Sequence, residues 1–241
     1  MHTYRVGIGL LGATFVAWAL AVVQMRGMDE GPGTNLGTLG SFLGIWLTMM
    51  VAMMLPPAAP MVLSFARART ERSTSIFVAG YFAVWLLFGL VAYAFFLLVG
   101  DWGAETLEWD SSGRYLAGGA IAAAGLYQLT TAKDVCLRHC RPPWHFLMDS
   151  ARDGKAFRLG LIEGSYCVGC CFGLFVLLFA VGVMSLLWMA VIAGVIFVEK
   201  VLPFGERASR VFAVAFIALG LLVALDPSLV PGLTEPGEMM M

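Results

Sequence analysis

Apolar runs of near-uniform length, separated by short polar connections, fill almost the whole chain. A helix rises 1.5 Å per residue, so about 20 apolar residues cross the roughly 30 Å of hydrocarbon in a bilayer. On that rule the pattern predicts seven helices, over about 6–25, 41–63, 76–99, 115–132, 163–182, 185–201 and 209–225. The run 161–200 is too long for one crossing, and the small stretch "GVMS" (182–185) divides it into a tight hairpin. The expected fold class is therefore all-α, a polytopic transmembrane helical bundle forming one domain over 1–241. Arg5 and the Ala-x-Ala at 19–21 would suit a cleaved leader, but the run continues to Met25 and is read as a retained first span.

Composition agrees with that class. The chain is 60% hydrophobic and 13% charged, against about a quarter charged in soluble domains. Its net charge of −1 and lack of a basic tract give no reason to expect a nucleic-acid partner. Lysine and arginine set the orientation, because cytoplasmic loops carry them in excess. With the N-terminus inside, every lysine and arginine except Arg26 and Arg114 falls on the cytoplasmic side, which leaves the C-terminus periplasmic. Residues 141–160, "RPPWHFLMDSARDGKAFRLG", then form a cytoplasmic loop whose Trp144, Phe146 and Leu147 suit an interfacial segment. The expected location is a bacterial inner membrane, with the lipid bilayer as the first partner.

All five cysteines lie in two pentads, "CLRHC" (136–140) and "CVGCC" (167–171). In a helix, positions i, i+3 and i+4 share a face. That puts Cys167, Cys170 and Cys171 in one stripe, with Glu163 one turn away. If the fourth helix continues past the membrane surface, Cys136, His139 and Cys140 make a matching stripe at the same side of the membrane. Three chemistries use such a site. Thiolates with a supplementary imidazole bind soft metals, Cu(I) foremost and Zn(II) second. A Cys-x-x-Cys pair also suits thiol–disulfide exchange, which would make the protein a membrane oxidoreductase. Structural disulfides suit a reducing cytoplasm poorly. Against all three stands plain packing, since cysteine and glycine are small and let helices approach. In that case the chain is a non-catalytic assembly or anchoring subunit of a membrane complex.

The second helix adds thioethers. In "MMVAMMLPPAAP" (49–60), Met49 and Met53, like Met50 and Met54, stack at i, i+4 and read as a soft-ligand relay or as adaptable core filling. Pro56 and Pro57 withhold hydrogen bonds from the carbonyls of Ala52 and Met53, which points to a broken helix or a kink. Glu163 is a candidate relay ligand, Glu199 reads as an ion-pair member, and Lys200 as a snorkelling cation. The histidines are His2, His139 and His145, none inside a predicted span, which excludes an intramembrane bis-histidine haem.

The segments "MMVAMMLPPAAP", "CLRHCRPPWHF" and "GSYCVGCCFGLFVLLFAVGVMSLLWMAVIAGVIFVEK" resemble an uncharacterised bacterial family of predicted metal-binding integral membrane proteins. The resemblance covers most of 42–225 and implies a multi-helix inner-membrane protein with a metal site. By position it implies Cys136, Cys140, Cys167, Cys170 and Cys171 as the motif cysteines, beside His139. The reading drawn from residues and resemblance together is a soft-metal protein, for copper above all, acting in transport, delivery or homeostasis. A metallochaperone or the subunits of a membrane complex would be its protein partners.

Overall fold

A computed structural model describes residues 2–26, 37–103, 114–141, 155–181 and 185–225. The described residues form eight α-helices. These are α1 (His2–Met25), α2 (Leu39–Ala68), α3 (Glu71–Gly103), α4 (Arg114–Tyr127) and α5 (Thr131–Cys140), then α6 (Ala156–Val181), α7 (Leu186–Val201) and α8 (Gly205–Leu225). The expected interfacial segment, with Trp144, His145 and Phe146, and the "GVM" of the hairpin turn lie outside the described residues.

Five helices, α1, α2, α3, α6 and α8, are long and apolar enough to cross a membrane. Helices α4 and α7, of 14 and 16 residues, span only about 21 and 24 Å at 1.5 Å per residue. Large apolar side chains face outward, among them Leu11, Phe15, Phe95, Val214 and Leu225. Outward apolar faces of this extent are compatible with a bundle solvated by lipid.

Helix α6 is the hub. Over its most apolar stretch 56% of the residues are buried, against 11% for α1 at the rim. It packs on α3, α5, α4 and α7, while α4 pairs closely with α8 and α1 with α2. The α3–α6 crossing is tight because glycine faces glycine. A Cβ on Gly160 would strike the Phe77 carbonyl and stand 2.8 Å from the Tyr81 nitrogen, and one on Gly80 would strike the Phe157 carbonyl. Small residues at a crossing let two backbones meet. Above it, Trp46 of α2 stacks near Phe175 and Phe179 of α6 and donates through Nε1 to the Trp85 carbonyl at 2.9 Å.

Two local expectations are corrected. The fourth helix does not run on to 132 or into the cysteines: it ends at Tyr127, and the chain turns through Gln128–Thr130. Tight turns bring the amides of Leu129 and Thr130 to the carbonyls of Leu126 and Tyr127 at 3.0 Å each. The Thr130 hydroxyl then caps α5 by accepting from the Lys133 amide at 3.3 Å, and Asp134 sits in the first turn where the helix dipole favours an acid. The second concerns the two outcomes expected at the prolines of α2, a break or a kink, of which the break does not occur. The chain stays helical through Pro56, Pro57 and Pro60, since adjacent prolines cost neighbouring bonds in one turn and the surrounding helices hold the segment in place.

Gly160→Ala should push α3 from α6 and lower stability by about 1–3 kcal/mol, the usual cost of overpacking. Thermal unfolding of the detergent-solubilised protein checks this, and an unchanged midpoint would refute the tight crossing.

Candidate metal centre

The i, i+3, i+4 stripe on α6 turns toward the bundle interior. Cys167, Cys170 and Cys171 are all buried, and their sulfurs lie within 4.8 Å of one another. The sulfurs of Cys170 and Cys171 are 3.7 Å apart. A fourth comes from another element: the Sγ of Cys140, at the end of α5, stands 3.6 Å from that of Cys170. All five cysteines are free thiols.

Helix α5 reaches this position because of a buried ionic clamp. Lys133 Nζ donates to Glu199 Oε2 at 2.7 Å, with side-chain exposures of 0% and 3%. Gln128 Nε2 donates to the other carboxylate oxygen at 3.1 Å. The turn before α5 and its first turn are thereby tied to α7. Arg141, just past α5, donates to the Leu202 carbonyl beyond the end of α7. Between these anchors the second half of α5 lies along α6.

A second buried lysine serves the sulfurs directly. Lys200 Nζ donates to Cys167 Sγ at 2.8 Å, and the Tyr81 hydroxyl of α3 lies 2.7 Å from the same sulfur. Lys200 therefore does not snorkel, as its place near a helix end had suggested. The ammonium gives this buried sulfur a charged hydrogen-bond donor. The clamp residues Lys133 and Gln128, together with Tyr81, were not picked out as site residues from sequence. Lys133 was counted among cytoplasmic loop charges. Thr130 followed by Asp134 was the readable sign that a new helix, with its own inward face, begins there.

Cys136 is less buried than the trio. Its half-exposed sulfur lies against Gly169, where an added Cβ would come within 2.8 Å of it. Burial, then the neighbouring Cys170, raises its pKa above the ordinary thiol value. Hydrogen bonding to Cys167 and Cys170 pushes Cys140 well above that range, with burial adding to it. His139 stacks on Tyr166 with ring centroids 3.7 Å apart, and its Nε2 lies 3.3 Å from Glu163 Oε1. Burial lowers its pKa, which favours the neutral imidazole, the form whose ring nitrogen can bind a metal. Met49, Met50, Met53 and Met54 are buried in the same contiguous core as the cysteines.

The family model described as "PpoB2: Copper chaperone" matches residues 43–223. The chain belongs to this family. The match spans every helix that contributes to the sulfur cluster, so the copper chaperone family and the cysteine site concern the same part of the chain. The expectation of a metal-binding family thus stands, with copper as its named metal. No curated protein and no solved structure matches the chain.

The placement of Cys140 predicts a cross-link. In purified, metal-free protein, mild oxidation should join Cys140 to Cys170, since their sulfurs need close only from 3.6 Å to the roughly 2.05 Å of a disulfide. After cleavage at a protease site inserted between Arg141 and Lys155, the two halves should stay together on a non-reducing gel. They should separate in Cys140→Ser, whereas Cys170→Ser alone leaves Cys167 within reach of Cys140. Separation in the oxidised wild type would contradict the α5 placement.

Proposed function

We propose that this protein is a bacterial inner-membrane copper-handling protein that carries Cu(I) as cargo on Cys167, Cys170 and Cys171, with Cys140 as the sulfur through which the ion is exchanged. The carrying observation is the donor set. Three sulfurs each about 2.3 Å from one ion stand about 4 Å apart, and the trio lies within 4.8 Å with its adjacent pair at 3.7 Å. An all-sulfur set of low coordination number selects Cu(I) over harder ions, with Zn(II) the runner-up. Three thiolates and Cu(I) carry two negative charges in a buried pocket, and the Lys200 ammonium at 2.8 Å offsets one of them.

Cys140 comes from a short helix outside the five long apolar ones, so it suits the role of a ligand shared with a donor or acceptor. That partner would be a soluble metallochaperone or a subunit of a membrane complex. The positive-inside pattern supports an arrangement with the N-terminus and α5 at the cytoplasmic face and seven membrane-embedded helices, two of them short. Met49, Met50, Met53 and Met54 would extend the soft-ligand path into the bundle. The 3.6 Å approach of Cys140 to Cys170 favours a second reading, thiol–disulfide exchange. Thiol trapping in copper-replete cells separates the two, because thiolates holding Cu(I) are shielded from mild oxidant, whereas an exchange pair cycles between its reduced and oxidised states.

Protein purified anaerobically under reducing conditions should hold one Cu(I) per chain in competition with a chromophoric chelator. Replacing Cys167 and Cys170 by serine should weaken binding more than about 100-fold, beyond the 10–100-fold typical for loss of an outer-shell partner. Lys200→Met should fall within that 10–100-fold range. Copper content unaffected by the double replacement would overturn the proposal.

A further inference from the structure

Beside the sulfurs lies a group of different chemistry. Glu163 sits one turn before Cys167 on α6, its side chain 2% exposed. Its Oε2 has no hydrogen-bond partner among the described residues. Buried polar atoms are nearly always satisfied, and one that is not calls for an unseen ion or water. Its other oxygen, Oε1, faces His139 Nε2 at 3.3 Å. Two ligands each about 2.1 Å from a common ion stand about 3.0–3.4 Å apart at tetrahedral or octahedral angles. The His139–Glu163 separation has that value. The imidazole is held by its stack on Tyr166, the residue that immediately precedes Cys167.

We propose that His139 and Glu163 form a second cation site, distinct from the sulfur cluster, for a borderline divalent transition-metal ion. Imidazole nitrogen and carboxylate oxygen suit divalent copper or zinc, whereas the neighbouring sulfurs suit a soft monovalent ion. The two sites sort ions by hardness and charge across one helical turn, about 6 Å of rise along α6. The access differs too. The His139 side chain is 24% exposed, while Cys167, Cys170 and Cys171 are 2%, 1% and 1% exposed. His139 thus gives a cation a way in from outside the bundle, while the sulfurs of α6 are enclosed. With two protein ligands and water completing its sphere, the ion at this mouth is held less tightly than one in the cluster. The inference goes beyond the copper reading and does not depend on it.

The probe is Co(II), which is redox-inert toward thiols under anaerobic conditions and reports its ligands in its spectrum. It is added to detergent-solubilised wild type already equilibrated with Cu(I), and to a variant with Cys140, Cys167, Cys170 and Cys171 replaced by serine. Expected are visible ligand-field bands without sulfur-to-cobalt charge transfer, saturating at one Co(II) per chain. His139→Ala and Glu163→Gln should each weaken that binding at least tenfold. Copper counted in the same wild-type samples reads the sulfur site separately, so failure of the copper proposal is seen as such. Should the four-serine variant not fold, the wild-type arm decides alone. Co(II) that fails to bind, that binds only with charge-transfer bands, or that binds equally in both substituted proteins overturns the second site.

Discussion

The buried pairing of Lys133 with Glu199 decides where the chemistry sits. The two side chains are almost fully desolvated and joined at 2.7 Å, with Gln128 satisfying the second carboxylate oxygen. Such a pair contributes little net stability against an apolar replacement. Breaking it by removing one partner costs about 3–5 kcal/mol, because the remaining charge is stranded. Its value here is positional. A helix of ten residues has little cohesion of its own, and α5 could take many orientations at the end of a bundle. The clamp ties its first turn to α7, and the Arg141 contact ties its end beyond α7. Cys140 is thereby delivered to Cys170.

Charge is organised around the sulfurs in the same economical way. Adjacent residues of α7 serve two purposes: Glu199 faces α5 and closes the clamp, while Lys200 faces α6 and meets Cys167. Helical geometry separates neighbours by about 100°, so one short segment can hold α5 in place and set an ammonium against the cysteine cluster. Tyr81 reaches the same sulfur from α3 at 2.7 Å, just beyond the glycine crossing that allows α3 and α6 to approach. The site is thus rooted in three helices besides its own, and loosening any of them alters its geometry.

Much of this was legible in the chain. The length and period of the apolar runs identify a helical bundle, and the i, i+3, i+4 spacing places Cys167, Cys170 and Cys171 on one face. What was missed has a common cause. The contacts of Lys133, Lys200 and Tyr81 are with residues 66, 33 and 86 positions away. In a linear reading a lysine at the end of an apolar run is a solvated cation, and only the packed bundle shows it buried. The break at Gln128–Thr130 was overlooked for another reason. Its polar residues look like the frayed end of α4, although Thr130 and Asp134 carry the marks of a new helix start. That break matters because a continuous helix would have carried Cys140 along the α4 axis instead of along α6.

The proposed site is the three sulfurs of α6, with Cys140 of α5 beside them for exchange, binding a soft ion through sulfur alone. X-ray absorption at the copper edge of the Cu(I)-loaded wild-type protein tests it most directly. The account predicts a first shell of three sulfurs at about 2.3 Å and no nitrogen or oxygen scatterer. A shell dominated by nitrogen or oxygen, or a two-coordinate ion with a single sulfur, would contradict it.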